Sequence, residues 1–209
     1  MKTRTRDVRS RRGFTLIELL VVMGIIGVLA GLTVGLSSVA SRKSKTGRME
    51  KELNELVTAI EVYKSSKIGS YPRDNPGKPA LNSLFYELSG VTFAEGIYSV
   101  TGQDEKMGLG FVSDIFNAQG FANAARPGDD LQTTHHFKPD QHKKIREGNL
   151  VVEVLVAPLP GPSSRPAVDG SRANVWNYDA SSSGRHNKTS FDLWVNITVG
   201  TSVVQIHNW

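Results

Sequence analysis

The chain contains no cysteine, which excludes disulfide cross-links, a thiolate nucleophile and cysteine zinc sites together. Proline is missing from residues 14–70, so nothing there removes a helical hydrogen bond. Charge is missing from Leu19 to Ser41. Beyond residue 13 there is no excess of either sign. Lys2, Arg4, Arg6, Arg9, Arg11 and Arg12 stand against Asp7 in the first thirteen residues, and nineteen basic and nineteen acidic residues remain elsewhere. The formal charge of +5 therefore belongs to the leader, which argues against a nucleic-acid-binding body. There is also no GxSxG elbow and no glycine loop ending in Lys-Ser or Lys-Thr, so the chain is not expected to be an enzyme. With 39% hydrophobic and 22% charged residues among 209, it is neither disordered nor polytopic. It has room for one domain plus a tail or anchor.

The uncharged run from Leu19 to Ser41 would span roughly 35 Å as a helix, enough to cross a hydrocarbon core of about 30 Å. A cleaved secretory signal has a shorter apolar core and a small-residue site after it, for which Ser37 to Ser41 is the nearest candidate. A plain single-pass anchor fits the length, but Glu18 does not fit a plain anchor. A carboxylate in a membrane helix costs about 2.5–3.5 kcal/mol on the insertion scale and usually has a partner. Glu18 lies one helical turn from Phe14. A cut between Gly13 and Phe14 would create an α-amino group that could neutralise Glu18 of a neighbouring copy and turn a costly charge into an assembly determinant. Gly27, Gly31 and Gly35 recur at i, i+4 and i+8, with Gly24 before them. Such a stripe lets helices approach closely, although glycine is also commoner in membrane helices generally.

Arg11-Arg12-Gly13-Phe14-Thr15-Leu16-Ile17-Glu18-Leu19-Leu20-Val21-Val22 closely resembles the prepilin signal of type IV pilins and type II secretion pseudopilins, most of all the major pseudopilin. The resemblance is close over about residues 9–40 and looser to residue 72. It implies cleavage by a membrane prepilin peptidase after Gly13 and N-methylation of Phe14. It implies that Glu18 meets the N-terminus of an adjacent subunit. It further implies a single-pass protein of the inner membrane, N-terminus cytoplasmic and C-terminal domain extracytoplasmic, that passes into a filament. The implied partners are further copies of itself, other pilin-like subunits and assembly platform proteins. Many pilins carry a proline within the apolar helix, and this chain has none there.

Residues 1–13 are read as a leader and 14–68 as one long helix, with a transmembrane half (14–41) and an amphipathic half (42–68). In the second half Met49, Leu53, Leu56, Val57, Ile60 and Tyr63 form an apolar stripe. Glu50, Lys51, Glu52, Glu55, Glu61 and Lys64 are assigned to the other faces. Residues 69–148 read as an irregular region, with short helices at 81–88 and near 111–121 and little structure over 123–148. Residues 149–209 read as an antiparallel sheet: strands at 150–156, 174–178 and 191–199, the last forming a hairpin with 202–207. The expected fold is α+β and pilin-like, with the sheet covering the amphipathic half of the helix.

His135, His136 and His142, with Asp140, lack helical ligand spacing and read as solvated side chains. Asp169, Asn174, Asn177, Asp179 and Asp192 form an oxygen-rich group. Some major pseudopilins bind calcium in a comparable late loop, which makes Asp169, Asp179 and Asp192 calcium candidates by resemblance. No EF-hand spacing supports them, and Asx residues beside Gly and Ser are turn formers. Otherwise no cofactor is expected. Asn187-Lys188-Thr189 and Asn196-Ile197-Thr198 match a glycosylation acceptor pattern that recurs by chance. Trp176, Tyr178 and Trp194 are read as core or interface aromatics and not as a base-stacking platform. The expected function is a structural subunit of a type II secretion pseudopilus or type IV pilus-like filament. The competing reading is a monomeric anchored extracytoplasmic binding protein that uses the loops at 70–148.

Overall fold

The computed structural model describes residues 13–66, 68–101, 103, 105–131 and 134–209, and leaves the side chains of 32–38 undescribed. All of the leader expected at 1–13 except Gly13, and the side-chain environment of Gly35, lie outside the described residues. The chain divides into two compact units, Met1–Lys43 and Ser44–Trp209.

Helix α1, Leu16–Ser65, is 50 residues long, which the missing prolines permit. It stops where serine side chains take over the last carbonyls: Ser65 Oγ donates to Val62 O (2.9 Å) and Ser66 Oγ to Tyr63 O (2.6 Å). Beyond it the Tyr71 ring lies under Lys64 Nζ at 4.0 Å, and its hydroxyl donates to Glu61 (3.0 Å). Met49, Leu53, Leu56, Ala59, Ile60 and Tyr63 are all buried. At about 1.5–3 kcal/mol per large apolar side chain, this stripe holds the helix to the body. One assignment is corrected. Glu52 lies three residues after Met49 and four before Leu56, hence on the buried face, and only 7% of it is exposed.

Among the described residues no helix is long and apolar enough to cross a membrane. Residues 32–38 of the transmembrane half expected at 14–41 fall among the undescribed side chains.

The region at 69–148 has the two short helices expected of it, at Leu84–Ser89 and Leu109–Phe116, but it also holds strands where little structure was expected. Helix α2, Leu84–Ser89, buries Leu84, Phe85, Tyr86, Glu87 and Leu88. Strands β1 (Val91–Ala94) and β2 (Ile97–Val100) follow, joined by Glu95 and Gly96, both at positive φ (52° and 80°) as a two-residue hairpin requires. Next come β3 (Lys106–Gly108), helix α3 (Leu109–Phe116) and β4 (Ala124–Ala125). They complete a sheet ordered β3-β2-β1-β4, in which β4 runs parallel to β1. These strands are two to four residues long, too short to show an alternation.

The second correction falls at 142–147, placed in a loop by the sequence. Strand β5, His142–Glu147, pairs antiparallel with β6, Leu150–Ala157, across Gly148. Ile145 is its sole apolar side chain. Ion pairs to Glu153, Asp169, Glu105 and Glu147–Arg165 replace the missing hydrophobic pattern. With β7 (Arg165–Pro166) and β8 (Arg172–Val175) the order is β5-β6-β8-β7. Ala167 then bridges Ile145, and Val168 N donates to Lys144 O (2.8 Å), so the ribbon returns to its first strand. The strand expected at 174–178 is two strands broken at Trp176, β8 and β9 (Asn177–Asp179). β9 pairs with β10 (Asp192–Val199), which forms a hairpin with β11 (Ser202–His207) around Gly200. The architecture is α+β, an N-terminal helix followed by largely antiparallel sheets.

Candidate functional site

At the start of α1, residues 13–15 are not helical, and Phe14 is 84% exposed. Thr15 and Glu18 form a reciprocal cap. Thr15 N and Thr15 Oγ1 both donate to Glu18 Oε2, at 2.8 and 2.7 Å, and Glu18 N donates back to Thr15 Oγ1 at 3.3 Å. This is the Thr-x-x-Glu capping box. It satisfies donors that a helix start would otherwise leave open, and it places a carboxylate at the positive end of the helix dipole. Glu18 thus has a partner within its own chain, which the sequence analysis did not foresee although the spacing spells it. Both bonds donated by Thr15 fall on Oε2.

Leu16, Ile17, Leu19, Leu20, Met23, Ile25, Ile26, Val28 and Leu29 are all at least half exposed. A Cβ added at Gly24, Gly27 or Gly31 would meet nothing within 4 Å. The close approach these glycines permit goes unused inside one chain. Gly35 cannot be placed with them.

The calcium candidates do not assemble. Asp169 lies between β7 and β8, its Oδ1 taken by Ser171 N and Oγ (2.9 and 2.6 Å) and its Oδ2 by Lys143 (3.3 Å). Those Ser171 bonds, then Lys143, hold its carboxyl down to about 2. Asp179 and Asp192 face each other across β9 and β10, but each serves its own turn. Asp179 Oδ1 accepts from Ser181 N and Ser182 N, and Asp192 accepts from the backbone of His186 and Asn187. Among the described residues no group of three or more His, Asp or Glu could hold a metal. The histidines separate as well. His142 Nδ1 pairs with Glu153 Oε1 at 2.5 Å, while His135 is anchored by its backbone to Leu88 O. Asn187 Nδ2 is engaged with Phe191 O (3.0 Å). Trp176 and Tyr178 are fully buried, whereas Trp194 is half-buried against Trp209.

Three further acids, Glu52, Glu87 and Glu153, are buried in the body. Glu87 accepts from Tyr63 Oη (2.7 Å), Ala122 N (2.9 Å) and Asn123 N (3.0 Å). Glu153 pairs with His142, and Glu52 takes the Trp176 indole N–H. Only Glu52 carried a readable signal, its place in the stripe.

A family model described as a prokaryotic N-terminal methylation motif matches residues 8–34. The chain is 34% identical over 104 residues to "Prepilin peptidase-dependent protein D" of Escherichia coli (strain K12), which covers 49% of this chain and 70% of that protein. No solved structure matches.

Proposed function

The chain belongs to the type IV pilin and pseudopilin-like family, and from that premise we propose that it is a structural subunit of a secretion pseudopilus or pilus-like filament. Prepilin peptidase cuts between Gly13 and Phe14, and the new amine of Phe14 is methylated and stays cationic. The uncharged helix anchors the precursor in the inner membrane, its leader on the cytoplasmic side and its body outside. The subunit then moves into the polymer with its own copies and other pilin-like subunits, on an assembly platform.

The observation that carries this reading is the position of Glu18. Its Oε2 is held by Thr15, which fixes the carboxylate one turn from Phe14. Oε1 accepts no hydrogen bond among the described residues, and it is directed to the Phe14 amine of a neighbour. Between helices in a low-dielectric core, such a pair is worth more than in water. The unused approach at Gly27 and Gly31 supports the same packing, since a helix of the next subunit can sit against that face. The late-loop carboxylates, each occupied by its own turn, add no metal to the proposal.

Replacing Glu18 by Ala tests it. Membrane insertion of the precursor should be intact, while incorporation into sheared filaments should be lost. A Glu18→Ala protein that polymerises like the parent ends this assignment.

A further inference from the structure

Glu52 lies within the buried stripe of α1 yet has no cation of its own. Its Oε1 accepts from Trp176 Nε1 at 3.1 Å, and Trp176 has no exposed area. The charged groups that face it are all accounted for. On α1 these are Arg48, Lys51 and Glu55, and on the segment leading into β5 they are Lys138, Asp140 and the amide of Gln141. Together with Glu52 they line a polar cavity of about 110 Å³. Arg48 is committed to Asp140 (3.1 Å), and Lys51 to Glu55 (3.8 Å). His135 acts on Glu55 from the loop before β5. The neutral indole is therefore the one direct hydrogen-bond partner of Glu52 among the described residues.

We propose that Glu52 and Trp176 form a proton-operated latch that fastens the first docked turns of α1 to the body. With a proton on Glu52, the carboxyl keeps its indole bond and is neutral at its buried position on the helix. Without the proton, a carboxylate is left beside Asp140 and Glu55, and the turns around 48–56 loosen to hydrate it. Burial pushes the Glu52 carboxyl up to about 7, against the pull of the Trp176 bond and of Arg48, while Asp140 and Glu55 push it further. A folded-state value above the ordinary 4.5 means that the stabilisation is complete in acid and is lost as pH rises through about 7. Between about pH 6 and pH 8 the closed state should lose about tenfold in population relative to the loosened one. The body would then grip its helix more tightly in acidic surroundings.

The test is hydrogen exchange by mass spectrometry on the full chain in detergent, at about pH 6, 7 and 8, corrected for intrinsic exchange. In the parent, protection of amides 48–56 should fall about tenfold across that range, and in Glu52→Gln it should stay level. In Trp176→Phe the midpoint of the fall should move to higher pH, because the indole bond favours the charged form. A level profile in the parent overturns the latch. So does an undiminished fall in Glu52→Gln, which would assign the titration to His135 or another group. If Glu52→Gln does not fold, an unshifted midpoint in Trp176→Phe overturns the proposal on its own.

Discussion

Replacing Tyr63 by Phe removes one oxygen atom and leaves a fully buried ring in place. That oxygen donates to Glu87 Oε2 at 2.7 Å, deep in the body. Burial pushes the tyrosine hydroxyl well up, so it remains a donor throughout the working range. A hydrogen bond to a charged group contributes about 1.5–3 kcal/mol, and a carboxylate that loses one inside a protein keeps its desolvation cost. For a chain of this size that corresponds to a fall in melting temperature of about 3–12 °C. Ala122 N and Asn123 N still hold the carboxylate, so the loss should stay below that of an orphaned charge. The pH dependence has a definite sign. Burial raises the Glu87 carboxyl above its ordinary value, and the Tyr63, Ala122 and Asn123 bonds hold it down. Its contribution is complete in acid and fades as pH climbs through the folded-state value. Removing a donor that favours the charged form raises that value further, so the damage from Tyr63→Phe should be greater at about pH 8 than at about pH 5. Thermal unfolding of the full chain in detergent, followed by near-ultraviolet circular dichroism at both pH values, reads the effect. A variant that melts within roughly 1 °C of the parent at both refutes the buried-network reasoning.

Two further substitutions probe the body. A Cβ on Gly161 would collide with the backbone carbonyl of Asn196 and the side-chain amide of Asn174. That amide ties Leu159 O to Asn196 O, at 2.9 Å each. Gly161→Ala should therefore lower the denaturant midpoint by the equivalent of about 1–3 kcal/mol. Burial alone would raise the Asp192 carboxyl, but the backbone N–H groups of Asn187 and His186 and the His186 ring together hold it below its usual range. Its stabilisation is present above the ordinary carboxylate range and lost as pH falls through the lower folded-state value. Asp192→Asn should thus lower the midpoint at neutral pH and flatten its decline below about pH 4.

What the sequence made legible had long-range regularity. Fifty residues without a helix breaker, a period-3.6 stripe from Met49 to Tyr63 and two alternating strands at the end announce themselves in one dimension. Each has enough repeats to stand above chance. The centre of the chain does not. Val91–Ala94 and Lys106–Gly108 are too short to show a period, and His142–Glu147 has one apolar residue in six. These strands exist because distant partners supply the pairing and the counter-charges. Glu105 reaches Lys144, and Glu147 reaches Arg165. At the candidate site the run Gly13-Phe14-Thr15-Leu16-Ile17-Glu18 was legible as a family signal, and a family model matches over residues 8–34. The Thr15 cap is spelled just as plainly, in the Thr-x-x-Glu spacing, which pairs the acid within its own chain. Glu87 and Glu153 could not have been found. Nothing in one dimension says that Tyr63 or His142 will arrive beside them.

The apolar core begins at Met49, and among the described residues no side chain before Ser44 is buried. Every buried side chain of α1 among the described residues thus falls inside the unit Ser44–Trp209. Among the described residues, a substitution on the buried face of α1 from Met49 onward answers to the core of the body, while the exposed stretch 13–31 answers to whatever surrounds the helix. One helix thereby carries a stretch shaped by its own chain and another left to be shaped by its surroundings.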